Sequence, residues 1–221
     1  MKIDKEKKEI LSQFIFSFRC EKEYINMLLK YEVNINWQKV INRKSTLFKN
    51  SNFNSGKSFC PNKRGFIELK EFSQLNKWLE GCFSKVVEDL NWNAFPSKNL
   101  KITQSWINRS IKGESHHLHR HSFSILSGIL YLSNNSSTQF FIPSIYELPT
   151  VINQKNEQDI TIKHHYQGKK GELIVFPSSL FHCVGPNMYQ KPRISLSMNT
   201  WPIGDIGFKD SLALIPKEIH N

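Results

Sequence analysis

The pattern of apolar positions divides the chain into a helical first part and a strand-rich second part. From Lys5 to about Tyr31, apolar residues recur three and four positions apart, which predicts one or two amphipathic helices. The same spacing predicts a helix from Glu68 to Leu90. Between them, Gln38–Gly65 carries seven basic residues and no acidic one. A loop of this length is either a lid, a binding segment or a plain mobile connection.

After Pro96 the chain changes to short apolar or alternating runs separated by Gly, Pro and Asn clusters. These runs predict strands at Leu100–Asn108, Phe123–Leu132, Phe140–Ile142, Ile160–Tyr166, Leu173–Phe176 and Ile194–Asn199. Such spacing is typical of a sandwich or jelly-roll barrel, with the preceding helices packed on one face. We therefore predict a mainly β single domain over 1–221, with a helical support and basic loop over 1–98 and the strand core over 99–208.

Composition narrows the class of protein. With 221 residues, 39% hydrophobic and 12% aromatic, the chain has enough apolar material for a core and is not intrinsically disordered. The net charge of +11 is spread along the chain, so it permits contact with nucleic acid without requiring it, and no basic stripe with stacking aromatics stands out. No phosphate-binding glycine loop is present.

The cysteines and the N-terminal residues indicate the cellular compartment of the protein. The four cysteines form no CxxC pair, which argues against a zinc ribbon or a disulfide scaffold. The first residues have no apolar signal region, and no stretch reaches the ~18 apolar residues of a membrane span. We expect a cytoplasmic protein without membrane contact, and the sequence does not indicate its oligomeric state.

Histidines are the main candidates for chemistry. Four of the eight lie between Ser115 and His121, and His182 follows the buried-type strand that ends at Pro177. Residues two apart in an extended chain share a face, so His119 projects together with either His117 or His121, and the spacing does not choose between them. Two imidazoles on one face suit iron, copper, zinc or nickel.

Arg193 opens the strand that follows His182. A hairpin through Gly185-Pro186-Asn187 would place the His182 strand beside this one. Along the second strand, one face carries Arg193, Ser195, Ser197 and Asn199. We therefore expect a guanidinium and hydroxyls on a polar face near His182.

In order, these motifs resemble the non-haem Fe(II)- and 2-oxoglutarate-dependent oxygenases. The resemblance covers about residues 101–201 and follows the pattern HxH, SGxxYL, FPS, H and RxSxSxN, as in a small microbial and phage branch of that superfamily. It implies a double-stranded β-helix buttressed by helices. It also implies Fe(II) and 2-oxoglutarate as cofactors, with decarboxylation of 2-oxoglutarate to succinate coupled to oxidation of a substrate C–H bond.

Carried over by motif, the resemblance implies roles for six residues. His119 and His182 match metal ligands, and His121 stands where the superfamily places Asp or Glu. Arg193 matches the residue that pairs with the distal carboxylate of 2-oxoglutarate, since a planar guanidinium binds carboxylates bidentately. Ser195 and Tyr131 match hydroxyl groups beside it. The basic loop at 38–65 is the segment that could close the site.

Several other functions share these features. A cupin-like module could hold a metal or ligand without turnover, and a three-histidine iron dioxygenase could work without 2-oxoglutarate. A nucleic-acid demethylase of the same superfamily is suggested only by the charge. A zinc hydrolase would need a general base, for which Glu114 is the nearby candidate, with no HExxH motif around it. The expected substrate is a small molecule or a protein side chain.

Overall fold

The computed structural model describes residues 5–10, 13–40, 55–92, 99–142, 162–207 and 214–217. Its helices are α1 (Lys22–Val33) and α2 (Ser73–Asp89), the second preceded by short 3-10 turns at Gly65–Glu68 and Lys70–Phe72. The strands are β1 (Lys5–Ile10), β2 (Gln13–Arg19), β3 (Lys57–Phe59), β4 (Leu100–Ser110), β5 (His116–His119), β6 (Leu126–Tyr131), β7 (Ser136–Ile142), β8 (Ile162–Gly168), β9 (Glu172–Pro177), β10 (Phe181–Val184) and β11 (Arg193–Pro202).

The strands form two antiparallel sheets. The larger has the order β1-β2-β9-β6-β11-β4-β3 and the smaller the order β5-β10-β7-β8. From β4 onward, consecutive strands alternate between the two sheets except for the paired β7 and β8, as they do in a jelly roll. The predicted mainly β architecture is confirmed. No helix within the described ranges is both long enough and apolar enough to cross a bilayer.

Period-two alternation in the larger sheet separates two apolar layers. On β9, Leu173 and Val175 join the core formed with α2, whereas Ile174 and Phe176 belong to a smaller cluster with Phe140. Phe140 lies on β7 of the opposite sheet, so this smaller cluster lies between the sheets. The larger sheet is thus buried on both faces, which is why β6 and β9 are almost continuously apolar.

Helix α2 lies close against the larger sheet. A Cβ placed on Gly128 of β6 would come within 2.9 Å of the Phe83 ring of α2. Glycine at this position lets the helix approach the strand, and Phe83 and Leu79 are fully buried there. The helix predicted over Glu68–Leu90 is confirmed, with its first residues in 3-10 turns.

Two expectations are corrected. The helical prediction from Lys5 is wrong up to Arg19, because β1 and β2 form a hairpin there and β2 pairs with β9. The alternation of Phe14, Phe16 and Phe18 fits a strand as well as a helix, and β2 adopts the strand because it pairs with the edge of β9. The first 98 residues thus supply strands as well as helices.

The hairpin predicted through Gly185-Pro186-Asn187 is also wrong. Strand β10 pairs with β5 and β7, whereas β11 pairs with β4 and β6 in the other sheet. Asn187 anchors the crossing: its buried amide donates to the carbonyls of Ser110 and Lys191. Of the basic segment predicted as a loop, 41–54 lie outside the described residues, and the remainder includes β3.

Candidate metal centre and cosubstrate pocket

Three histidines converge between the two sheets. One potential ligand atom from each of His119, His121 and His182 lies within 4.8 Å of the other two, and the described part of the chain holds no second such group of His, Cys, Asp or Glu. His119 ends β5 and His182 lies opposite it on β10, so cross-strand pairing brings these two together. His121 follows β5, where its backbone N–H donates to the Ser178 carbonyl at 3.0 Å. The exposed His117 lies outside the group.

Backbone carbonyls set the tautomers of two of these rings. Nδ1 of His119 lies 2.7 Å from the His117 carbonyl oxygen, and Nδ1 of His182 lies 2.9 Å from that of Leu180. A carbonyl only accepts, so each Nδ1 donates its hydrogen and each Nε2 keeps a lone pair. This is the state in which imidazole binds metals, with the second nitrogen orienting the ring. The donor set therefore fits a divalent transition metal.

Burial keeps the three imidazoles neutral. It lowers the pKa of His121 to about 4, with His119 as a second cause, and lowers the pKa of His182 well below its usual value. The pKa of His119 is also lowered by burial, against the opposing effect of its bond to the His117 carbonyl. Neutral imidazoles need not lose a proton before a metal binds, and those of His119 and His182 already have the lone pair on Nε2.

Arg193 lies on a cavity of about 170 Å³ that the three histidines also line. Arg193 is only 7% exposed and takes part in none of the ion pairs among the described residues. Its guanidinium donates to the Glu114 carbonyl oxygen at 3.4 Å. Burial lowers the pKa of Arg193 to about 10, so the group stays cationic at neutral pH. The cavity thus contains a positive charge that no carboxylate of the described residues neutralises.

The predicted hydroxyl partners lie on the same cavity. Ser195 and Tyr131 face each other in the pairing of β11 with β6, and both line the cavity. The Tyr131 hydroxyl lies 2.8 Å from Thr138 Oγ1, and burial raises the pKa of this phenol. Ser195 is therefore the freer of the two hydroxyls, because Tyr131 already has a partner.

Sequence reasoning missed His116 and the inner face of β4. His116 contacts Ser110 Oγ at 3.1 Å, and burial together with the Arg193 charge lowers its pKa to about 3. Trp106 and Asn108 also line the cavity, and the alternation of β4 does place them on one face. Sequence alone had no means of showing that this face is opposite the histidines, because β4 and β5 belong to different sheets.

Comparisons with known proteins agree with this geometry. Residues 104–199 match the family described as "Putative 2OG-Fe(II) oxygenase". No curated protein sequence matches the chain.

Solved structures share the fold at low sequence identity. The non-haem α-ketoglutarate-dependent carbocyclase SnoK from nogalamycin biosynthesis superposes with a TM-score of 0.60 at 9% identity, over 91% of this chain and 87% of that one. A prolyl hydroxylase from Trichoplax adhaerens, in complex with a hypoxia inducible factor peptide, gives 0.55 at 12% identity, over 85% and 83%. HygX from Streptomyces hygroscopicus, with nickel and 2-oxoglutarate bound, gives 0.51 at 9%, over 88% and 85%. The fold is therefore the double-stranded β-helix.

Proposed function

Because residues 104–199 make this chain a member of the Fe(II)- and 2-oxoglutarate-dependent oxygenases, we propose that His119, His121 and His182 hold its iron and that Arg193 binds its cosubstrate. When bound, Fe(II) supplies the redox chemistry that couples conversion of 2-oxoglutarate and O₂ to succinate and CO₂ with oxidation of a substrate C–H bond. The observation that carries the assignment is a buried arginine that forms no ion pair with any described residue and lines the cavity that the three imidazoles share.

The positive charge of Arg193 is complementary to the negative charge of 2-oxoglutarate. A buried cation without a counter-ion is costly, and the cost is relieved when an anion enters. 2-Oxoglutarate is a dianion, and its distal carboxylate can accept two parallel N–H bonds from one guanidinium. Ser195 lies beside this position and has the hydroxyl to donate a further bond. These two residues orient the cosubstrate while its other end faces the histidines.

An all-histidine ligand set changes the charge at the metal. His121 replaces the usual carboxylate, so the three protein ligands are neutral and the full charge of the divalent ion remains. A more positive centre attracts the dianionic cosubstrate at least as strongly. Glu114, the candidate general base of a hydrolase, accepts a bond from the backbone N–H of Ile111.

The substrate reaches the metal side through an uncharged recess. This recess of about 250 Å³ borders His121 and Asn199. Among the residues that the structure describes, its lining is completed by Ser58, Cys60, Gln104 and Trp106 and includes no Asp, Glu, Lys or Arg. Such a surface favours a neutral group, either a small molecule or an uncharged protein side chain. A nucleic-acid backbone would call for cations there. The four cysteines form no disulfide, which supports a reducing, cytoplasmic location.

An anaerobic titration tests the proposal. Fe(II) is added with and without 2-oxoglutarate, and the visible absorption is followed for the metal-to-ligand charge-transfer band that requires both. Succinate release is then measured in air. We expect the band and slow succinate release in the wild type and in His117→Ala, whose imidazole lies outside the triad, and neither in His182→Ala. Iron binding without band or succinate in the wild type would exclude a 2-oxoglutarate enzyme.

A substrate panel tests the recess. Succinate release is compared with added neutral amino acids, peptides with uncharged side chains, and single-stranded RNA and DNA. We expect stimulation by a neutral compound and loss of that stimulation in Trp106→Ala. Stimulation by nucleic acid alone would contradict the neutral-substrate assignment.

A further inference from the structure

His121 differs from the other two histidines in what holds its second nitrogen. His119 and His182 each donate Nδ1–H to a backbone carbonyl. Nδ1 of His121 instead lies 3.4 Å from the side-chain amide nitrogen of Asn199 on β11. In this orientation the amide donates, Nδ1 accepts, and the neutral ring must carry its hydrogen on Nε2. A ring in that state has no Nε2 lone pair for a metal.

Asn199 is itself held by a chain of hydroxyl groups. Ser127 Oγ lies 3.0 Å from Asn199 Oδ1 and 2.8 Å from Ser178 Oγ, which lies 2.7 Å from Ser124 Oγ. Ser124 Oγ in turn lies 3.1 Å from the Leu126 carbonyl. In this orientation both ends of the chain are acceptors, so three hydroxyl hydrogens can make only three of its four bonds, whereas an amide that donates to Ser127 would let all four form.

Reversing the direction of these hydrogen bonds would leave Nε2 of His121 with a lone pair for a metal. The oxygen and nitrogen of a carboxamide have nearly the same size, so both amide orientations fit the same space. In the reversed orientation, Asn199 Nδ2 donates to Ser127, and the serines donate onward to the Leu126 carbonyl. Asn199 Oδ1 then accepts Nδ1–H of His121, and Nε2 of that ring is left with its lone pair.

We propose that Asn199 is the positioning residue of the third metal ligand and that metal binding selects the reversed orientation. The inference rests on the proposed function, because it needs a metal at the triad. The backbone supports it: the pairing of β11 with β4 shifts register between Asn199 and Thr200. Irregularities of this kind re-aim side chains beside active sites. Asn199 thus has the role for His121 that the His117 and Leu180 carbonyls have for the other two ligands.

The test measures the tautomer directly, apart from turnover. Protein labelled with ¹⁵N in histidine is examined by long-range ¹H–¹⁵N correlation at pH 8, before and after addition of Zn(II), which is diamagnetic and binds imidazole. In the wild type we expect Zn(II) to leave His121 with Nδ1–H and a metal-bound Nε2. Asn199→Asp, which can only accept, should show Nδ1–H on His121 even without metal.

Metal affinity separates positioning from simple packing. Asn199→Leu should bind Zn(II) about 10–100-fold more weakly, the usual effect of losing a group that orients a ligand. Asn199→Asp should bind at least as tightly as the wild type. Asn76→Leu is the matched control, because the Asn76 amide also donates to a backbone carbonyl, that of Ile67 at 2.9 Å, but lies on α2 and lines neither the cavity nor the recess, so it should leave Zn(II) affinity unchanged.

The outcomes distinguish failure of the proposed function from failure of the role proposed for Asn199. If the wild type binds neither Fe(II) nor Zn(II), the proposed function fails and the inference with it. If Zn(II) binds through His119 and His182 while His121 keeps Nε2–H, only the role of Asn199 is overturned. Equal loss of affinity in Asn199→Asp and Asn199→Leu would likewise overturn it.

Discussion

Replacing Arg193 by methionine should change the stability of the protein in opposite directions with and without 2-oxoglutarate. Burial lowers the pKa of the guanidinium from 12.5 to about 10. At ~1.4 kcal/mol per pKa unit, keeping this cation buried costs the folded state about 3 kcal/mol. The group is protonated in both folded and unfolded chains at pH 7, so the cost is present there and disappears only as the pH rises through about 10. Arg193→Met removes the charge but keeps much of the apolar stem, and should therefore raise the free energy of unfolding of the ligand-free protein by roughly 1–3 kcal/mol.

The same substitution should weaken cosubstrate binding strongly. Two charge-assisted bonds to one carboxylate, at ~1.5–3 kcal/mol each, together contribute about 3–6 kcal/mol, or roughly 10²–10⁴ in Kd. Zn(II) affinity should stay unchanged, because Arg193 is not among the three converging ligand residues.

Two measurements check this prediction. Urea unfolding gives the stability of the metal-free proteins, and calorimetry gives the Kd of 2-oxoglutarate for the Zn(II)-loaded forms. Arg64→Met, at an exposed arginine, is the control and should leave the Kd unchanged. A less stable ligand-free Arg193→Met would refute the claim that the arginine is held at a cost. A parallel loss of Zn(II) and 2-oxoglutarate affinity would show that Arg193 supports the fold and does not bind the cosubstrate.

Three further predictions concern the ligands and the core. His182→Ala should lose most bound Fe(II) while His117→Ala retains it, measured as metal content after desalting; equal retention would exclude the triad. His121→Asp should keep the metal and raise uncoupled succinate release, since it restores a carboxylate ligand; succinate from this variant but not from the wild type would argue against a natural 2-oxoglutarate enzyme. Gly128→Ala should lower the free energy of unfolding by about 1–3 kcal/mol, because its Cβ would overlap a ring of α2, whereas Gly185→Ala meets an ordinary 3.5 Å contact and should cost less, as urea midpoints would show.

The β1–β2 hairpin shows where a local pattern has two readings. Phe14, Phe16 and Phe18 alternate as in a strand, yet together with Ile10 they also approximate a helical stripe. What decides between them is the edge of β9, whose backbone pairs with Phe16–Arg19. The edge of β9 lies far away in the sequence, so a pattern read over a few neighbouring residues cannot show that its backbone groups are available for pairing.

The strands around the site were foreseeable because alternation is a local property. The inward face of β11, with Arg193, Ser195 and Ser197, follows from residues two apart. The candidate ligands could be narrowed to His119, His182 and either His117 or His121 from strand geometry, and motif order favoured His121. The period of a strand and the chemistry of imidazole and guanidinium suffice for the polar face and the open pair, whereas the choice of His121 came from the family resemblance.

Tertiary structure decided what the residues face. It placed β10 and β11 in different sheets, so His182 and Arg193 line one cavity from separate sheets and not as neighbours on a hairpin. It also brought Asn199 to His121 and His116 to Ser110. Sequence by itself determined helix α2, most strands from β4 onward and the chemistry available, but not the β1–β2 hairpin. The contacts between those faces depend on long-range pairing, in which each strand chooses a partner by hydrogen bonding and burial summed over the whole domain.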